Sequence, residues 1–81
     1  MSIRVLFFAS LADIAGGRAR LVDPGEVTDV LSVFNKVAGE FPAMEAHRQT
    51  VMFALNSEFA RPDAPVHDGD EVAFLPPVSG G

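Results

Sequence analysis

The last six residues of the chain have the composition of a segment that carries a terminal carboxyl group to another molecule. They read Pro76-Pro77-Val78-Ser79-Gly80-Gly81. Consecutive prolines favour extended backbone, and six extended residues reach about 20 Å from the body of a protein. Glycine has no Cβ, so Gly80 and Gly81 can pass through a channel too narrow for other residues. We therefore predict an extended tail over 76–81 that delivers the Gly81 carboxylate to a partner's active site.

The Gly81 carboxylate can take part in transfer chemistry only after activation. A carboxylate is anionic and has no good leaving group, whereas adenylation by ATP supplies AMP as one. A sulfur donor can then displace AMP and leave a C-terminal thiocarboxylate, a soft nucleophile near neutral pH. None of these steps needs a catalytic side chain on this chain, which has no cysteine. The pattern predicts a carrier that is not an enzyme by itself, with Gly81 and Gly80 as its reactive residues.

Side chains elsewhere in the sequence form no comparable catalytic or metal-binding pattern. His47 and His67 are separated by 20 positions and have no third ligand at metal spacing, so no metal site is expected. Asp68, Asp70 and Glu71 surround a glycine and indicate a turn, since the remaining ligands of a calcium loop are missing.

Composition is that of a small acidic globular domain. The 81 residues carry a net charge of −5, 48% of them are hydrophobic, and six basic residues are scattered along the chain. Nucleic-acid binding needs clustered cations, so nucleic acid is not an expected partner. No apolar run reaches the roughly 18 residues of a membrane helix, and no signal peptide is evident. We expect a cytoplasmic protein with no membrane partner.

Hydrophobic periodicity predicts several short strands and one main helix. Apolar alternation and β-branched residues predict strands over 3–8, 18–22, 51–55 and 71–75. Apolar residues at helical spacing predict the main helix over 27–41, with Thr28 or Asp29 near its start. Ser10 is expected to cap a short helix over 11–15, and a further short extended piece is expected around Phe59.

This order of elements fits the β-grasp architecture, an α+β fold. One main helix must cover one face of a mixed sheet, because each element needs an apolar partner. In this architecture the first and last strands pair at the centre of the sheet. We predict a β-grasp domain over 1–75 that is followed by the tail over 76–81.

Alternation in the central strands predicts an apolar patch on the uncovered face of the sheet. If Arg4 and Glu71 face water, Phe8 and Leu75 lie on the same side, and Phe59 can join them. A contiguous apolar patch is unusual for a free monomer and marks a partner site. The predicted partner-binding residues are Phe8, Phe59, Leu75, Pro76, Pro77, Val78 and Ser79.

The sequence resembles a ubiquitin-like sulfur-carrier family, the small subunits of molybdopterin synthase. The resemblance covers nearly the whole chain and is carried by segments 5–9, 68–74 and 76–81. Pro-Pro-Val-Ser-Gly-Gly after an apolar strand is its most specific part. Relatives often have arginine at the position of Ala12, so a partner salt bridge from that position is not expected here.

The resemblance implies that a ubiquitin-activating-like adenylyltransferase adenylates Gly81 with ATP and magnesium. A sulfur donor protein would then convert Gly81 to a C-terminal thioglycine. The loaded tail would enter the large subunit of a heterotetrameric synthase and donate sulfur to cyclic pyranopterin monophosphate during molybdenum cofactor biosynthesis. Covalent sulfur is thus the expected cargo, and no permanently bound cofactor is expected.

Other functions are compatible with the same residues. Gly-Gly chemistry also serves sulfur carriers for thiamine, cysteine or tRNA thiolation. A ubiquitin-like modifier would instead attach Gly81 to a lysine of another protein. An interaction module with an inert tail would use the apolar patch alone.

Overall fold

The structure is a computed structural model that describes residues 1–77. Five strands form one sheet, in chain order β1 (Ile3–Phe7), β2 (Ala19–Val22), β3 (Met52–Leu55), β4 (Glu58–Ala60) and β5 (Glu71–Leu75). Two α-helices connect them, α1 (Ser10–Ala15) and α2 (Val30–Glu40). Short 3₁₀ helices occupy Pro24–Glu26 and Pro42–His47. No helix formed by the described residues is long and apolar enough to cross a membrane.

The strands lie side by side in the order β2-β1-β5-β3-β4, so the last strand is central. β1 and β5 run parallel, with Leu6 opposite Ala73. The other three pairings are antiparallel. The predicted pairing of the first and last strands at the centre of the sheet is confirmed.

Every second side chain of the central strands β1 and β5 points into the core. Ile3 and Val5 of β1 are fully buried, and so are Val72 and Phe74 of β5. Helix α2 covers this face with buried residues Val30, Val33, Phe34, Val37 and Ala38. The buried face of the sheet and the apolar stripe of α2 therefore form one core.

Phe74 is the centre of an aromatic cluster within this core. Its ring centroid lies 5.4 Å from that of Phe34, 5.5 Å from that of Phe53 and 5.6 Å from that of Phe7. Burial of each such ring contributes about 1.5–3 kcal/mol, with about 0.5–1.5 kcal/mol more for each well-oriented aromatic pair. The central strand β5 is therefore held firmly against α2.

Helix α2 begins three residues later than the periodicity predicts. Asp29 is its N-cap: the Asp29 Oδ1 accepts the Ser32 N–H at 2.8 Å, and the Ser32 Oγ accepts the Asp29 N–H at 3.0 Å. This capping box satisfies two backbone donors and fixes the start of the helix. Val27 is buried in extended conformation before the cap, so it adds to the apolar pattern without being helical.

The predicted role of Ser10 as the cap of α1 is wrong. Ser10 is the first helical residue, and Ala9 takes the N-cap position with no side-chain hydrogen bond. Ala9 has φ 53° and ψ −129°, which are the angles of the first central residue of a type II′ turn. Gly16 ends α1 in left-handed conformation with φ 72°.

Asn56 and Ser57 form the tight turn between β3 and β4. Both have positive φ, 51° and 72°, as the two central residues of a type I′ hairpin turn require. This two-residue turn leaves Glu58 free to pair with Leu55 as the first residue of β4. The extended piece predicted around Phe59 is thus an edge strand.

Candidate functional site: an apolar face beside the tail

The face of the sheet opposite α2 carries an apolar row that crosses all five strands. Cross-strand register places Ala19 beside Leu6, Leu6 beside Ala73, Ala73 beside Ala54, and Ala54 beside Phe59. Residues opposite one another in register point to the same face of a sheet. We call this uncovered side of the sheet the outer face.

Small and large side chains together shape a groove in the outer face. The groove encloses about 270 Å³ and is lined by Leu6, Phe8, Ala54, Ser57, Phe59, Glu71, Ala73 and Leu75. The alanine side chains of β3 and β5 form its low floor, and the larger side chains form its walls. Six of the eight lining residues are apolar, so the groove is suited to an apolar side chain of a partner.

The structure brings together the three residues predicted to form a partner-binding patch. Phe8, Phe59 and Leu75 all line the groove. Phe59 is 75% exposed and Phe8 is 45% exposed, which is unusual for aromatic side chains of a free monomer. Because these two rings stand on opposite sides of the groove, a partner that fills it would bury both.

Phe8 is held at the end of β1 by the backbone. Its N–H donates to the Phe74 carbonyl at 3.2 Å, which continues the β1–β5 pairing by one residue. Its carbonyl accepts the Leu11 N–H at 3.1 Å and closes the turn around Ala9. The Phe8 ring is therefore positioned by hydrogen bonds on both sides of its own peptide group.

The predicted tail begins at the edge of this groove. Leu75 is the last residue of β5 and lies opposite Met52 in the β3–β5 register. Pro76 follows half-buried, and Pro77 is exposed. Val78, Ser79, Gly80 and Gly81 lie outside the described residues. Residues 76 and 77 therefore leave the sheet beside a groove wall.

Several groove residues were not among the predicted site residues. Leu6, Ala54 and Ala73 form its floor and one wall, whereas Ser57 and Glu71 contribute its polar atoms. The alternation of β1 already places Leu6 on the side of Phe8. The contribution of Ala54 depends on the register between β3 and β5, which a single sequence does not reveal.

A hydrogen-bonded network lies at the end of the sheet away from the tail. The Asn56 amide donates to the Asp70 carboxylate at 3.1 Å, and the His67 backbone N–H donates to it at 2.8 Å. The Asn56 bond, and then the His67 bond, lower the pKa of Asp70 from its usual range. This carboxylate is therefore a structural anion that holds the start of β5.

The groove is mostly apolar. Its polar side chains are Ser57 and Glu71, and the groove contains no pairing of a nucleophile with a base. The described residues also include no group of three or more histidine or acidic side chains that could hold a metal ion. The arrangement can dock a partner and present the chain that follows Leu75.

The fold is that of a ubiquitin-like β-grasp protein, with one apolar face of the sheet left uncovered. The chain belongs to the ThiS family, whose sequence model matches residues 5–81. It is 36% identical over 83 residues to the molybdopterin synthase sulfur carrier subunit of Chlamydomonas reinhardtii, with 100% of both chains covered. The family resemblance inferred from the sequence is thereby confirmed.

Solved structures share the same fold. The crystal structure of SAMP1 from Haloferax volcanii superimposes with a TM-score of 0.85 at 31% identity, and the match covers 100% of both chains. Subunit 1 in the complex of subunits 1 and 2 of the molybdopterin-converting factor from Helicobacter pylori gives a TM-score of 0.69 at 23% identity, again over 100% of both chains. The β-grasp prediction is confirmed by these neighbours.

Proposed function

We propose that the chain is the sulfur carrier subunit of a molybdopterin synthase, with Gly81 as the residue that bears the sulfur. The observation that carries this proposal is the position of Leu75, which is both a wall of the apolar groove and the residue before Pro76-Pro77. A partner seated in the groove would receive the tail directly. Membership of the ThiS family and the name of the algal relative support the same function.

Activation of Gly81 would proceed in two steps on a ubiquitin-activating-like adenylyltransferase. The carboxylate oxygen attacks the α-phosphorus of ATP, magnesium pyrophosphate leaves, and a glycyl adenylate forms. A thiol reductant releases hydrosulfide from the persulfide of a donor protein and is oxidised to a disulfide. The hydrosulfide attacks the glycyl carbonyl carbon, and AMP leaves with the electron pair of its bond to that carbon. The product loses a proton and becomes the thiocarboxylate.

Transfer would follow in the active site of the large synthase subunit. The thiocarboxylate sulfur attacks an activated carbon of cyclic pyranopterin monophosphate and forms a carbon–sulfur bond, while the carbon–oxygen bond at that position breaks and its electron pair leaves with the oxygen. Water then cleaves the glycyl–sulfur bond, so that the sulfur stays on the substrate and the Gly81 carboxylate returns. The carrier contributes position, while ATP, magnesium and the catalytic side chains belong to its partners.

The outer face supplies the interaction that this cycle needs. Phe8, Phe59 and Leu75 would be buried against the large subunit, and the tail would enter it from the edge of the groove. The complex of two subunits in the Helicobacter pylori molybdopterin-converting factor is a precedent for this type of assembly. Groove residues on this chain thus set the base of the tail at a fixed place on the partner.

Mass spectrometry of the chain after co-expression with its activating enzyme tests the proposal. We expect one oxygen at Gly81 to be replaced by sulfur when ATP and a sulfur donor are present. The loaded carrier, mixed with the large subunit and the pyranopterin, should then yield molybdopterin. A loaded carrier that yields none would favour a carrier for thiamine, cysteine or tRNA thiolation.

A second candidate function is protein modification. It is favoured by the 31% identity to SAMP1, which is named a small archaeal modifier protein. A modifier would form an isopeptide bond between Gly81 and a target lysine, with AMP as the leaving group of the adenylate. The same mass spectrometry separates the two functions, since digestion of a conjugate would leave a C-terminal fragment of this chain on the lysine.

A further inference from the structure

Ion pairs account for four of the six cationic side chains of this acidic protein. Within residues 1–77, Arg20 pairs with Glu40, Lys36 with Glu26, Arg48 with Glu45 and Arg61 with Asp63. Arg4 and Arg18 have no carboxylate within 4.0 Å among those residues. Two guanidinium groups therefore lack a carboxylate partner in the described part of a chain whose net charge is −5.

Arg18 lies beside the groove that we propose as the docking site. It lines a hollow of about 500 Å³ together with Phe8 and Asp13, although Arg18 and Asp13 form no ion pair within 4.0 Å, and Leu6 and Phe8 line both this hollow and the groove. Its carbonyl accepts the Phe7 N–H at 2.9 Å, which fixes its backbone to the end of β1. Arg18 directly precedes Ala19 of β2 and thus stands at the end of the sheet where Phe8 lies and where the tail leaves β5.

Arg4 is less suited to a partner contact than Arg18. It lies opposite Glu71 in the β1–β5 register, so a carboxylate on the neighbouring strand already faces the same side. Glu71 borders the groove there, whereas no acidic residue lines the groove beside Phe8. The groove therefore has a carboxylate at its Glu71 end, whereas its Phe8 end borders the hollow in which Asp13 and Arg18 lie without an ion pair within 4.0 Å.

A partner protein with a carboxylate at its rim fits this arrangement. Arginine is enriched at interfaces because its planar fork matches a carboxylate, and rim charges steer association. A second copy of this chain would add another net charge of −5 and is a poor occupant. Nucleic acid is equally unsuitable, because two separated arginines do not form a cationic surface.

We propose that Arg18 docks a carboxylate of the large synthase subunit at the rim of the apolar groove and thereby fixes the orientation of the carrier. This inference rests on the proposed function, because it takes the large subunit as the occupant of the outer face. The ion pair acts with the apolar contacts of Phe8. Together the two contacts fix the orientation of the carrier on the large subunit, so that the tail points into the partner.

Binding of the large subunit to charge variants tests the role of Arg18. Arg18→Gln and Lys36→Gln change the net charge equally, but Lys36 lies on α2, on the opposite side of the sheet. We expect Arg18→Gln to weaken binding severalfold and Arg18→Glu to weaken it roughly tenfold at low ionic strength. The effect should shrink as salt is added, whereas Lys36→Gln should bind like the unchanged chain.

The outcomes separate this inference from the proposed function. Equal affinities for Arg18→Glu and the unchanged chain, with Leu75→Glu still weakened, would overturn the role of Arg18 and leave the docking face intact. Full affinity of Leu75→Glu would overturn the docking face itself. Recovery of Arg18→Glu binding by reversal of one acidic residue on the large subunit would identify the partner carboxylate and support the inference.

Discussion

Asn56 joins the β3–β4 turn to Asp70 through its side chain. Its Nδ2 donates to the Asp70 Oδ1 at 3.1 Å, and its Oδ1 accepts the Glu71 N–H at 2.9 Å. The second carboxylate oxygen of Asp70 accepts the His67 N–H at 2.8 Å. Because β5 begins at Glu71 and ends at Leu75, this network anchors the far end of the strand from which the tail leaves.

We expect the free energy of unfolding to decrease in acid because of Asp70. Hydrogen bonds from Asn56 and His67 lower its pKa in the folded state below the ordinary value of 3.8. The unfolded chain therefore binds this proton more readily than the folded chain. The stabilisation is complete above pH 3.8 and is lost as the pH falls through the lower, folded-state pKa. Urea unfolding at successive pH values measures this loss.

Asp70→Asn is the control for this pH dependence. The variant should be less stable than the unchanged chain at neutral pH, since its amide accepts fewer of the hydrogen bonds. Its stability should also change less between neutral pH and the acid range. An acid dependence identical to that of the unchanged chain would assign the effect to other carboxylates.

Ala9→Gly should stabilise the protein by about 1 kcal/mol. Ala9 has φ 53° and ψ −129°, a conformation in which a Cβ is strained by about 1–3 kcal/mol. Glycine removes that strain, but it loses more conformational entropy on folding, which lowers the free energy of unfolding by about 0.5–1 kcal/mol. Denaturant unfolding with circular dichroism detects the gain. Ala12→Gly in α1 is the matched control and should lose about 1 kcal/mol, because its backbone is helical.

Local patterns were sufficient to predict the sheet faces. In β1 and β5 every second residue is apolar and large, so the buried set and the position of Leu75 on the outer face follow from alternation alone. Phe8 and Phe59 could be assigned to the same patch because the β-grasp topology places their strands in one sheet.

Features that depend on distant residues were not predicted. The N-cap at Ala9 lies in the turn that the Phe8 carbonyl and the Leu11 N–H close, directly after the hydrogen bond from Phe8 to Phe74 on the distant strand β5. The network of Asn56 and Asp70 joins two turns 14 positions apart. Charge pairing shows the same limit, because the pairs of Arg20 with Glu40 and of Lys36 with Glu26 depend on tertiary contacts.

Leu75→Glu should weaken binding of the large synthase subunit by more than tenfold without unfolding the domain. Leu75 is half-buried in the groove wall, so the variant would place a carboxylate in the apolar contact. A central interface residue commonly contributes 2 kcal/mol or more, which is roughly thirtyfold in affinity. Isothermal titration calorimetry with the large subunit measures the change.

Leu31→Glu is the comparison for that variant. Leu31 is 37% exposed on helix α2 and does not line the groove, although it shares a separate hollow with Phe59, and the substitution adds the same charge. The substitution should lower the free energy of unfolding in proportion to the apolar surface that Leu31 buries. The affinity for the large subunit should stay within about twofold of that of the unchanged chain. Equal weakening by both variants would show a general effect of charge and contradict docking through the groove.

Gly80→Val should abolish sulfur transfer while leaving the domain folded. In a channel narrow enough to exclude water, a β-branched side chain at position 80 would displace the reacting carbonyl group of Gly81. A misplacement of about 1 Å can lower the reaction rate roughly a hundredfold. Gly39→Val is the matched control, because a Cβ at Gly39 on α2 meets no heavy atom within 4 Å.

Thiocarboxylate formation and molybdopterin yield are the two measurements for Gly80→Val. Normal loading with failed transfer would locate the constriction in the large subunit, whereas failed loading would locate it in the activating enzyme. Normal values for both would contradict a narrow passage for the tail.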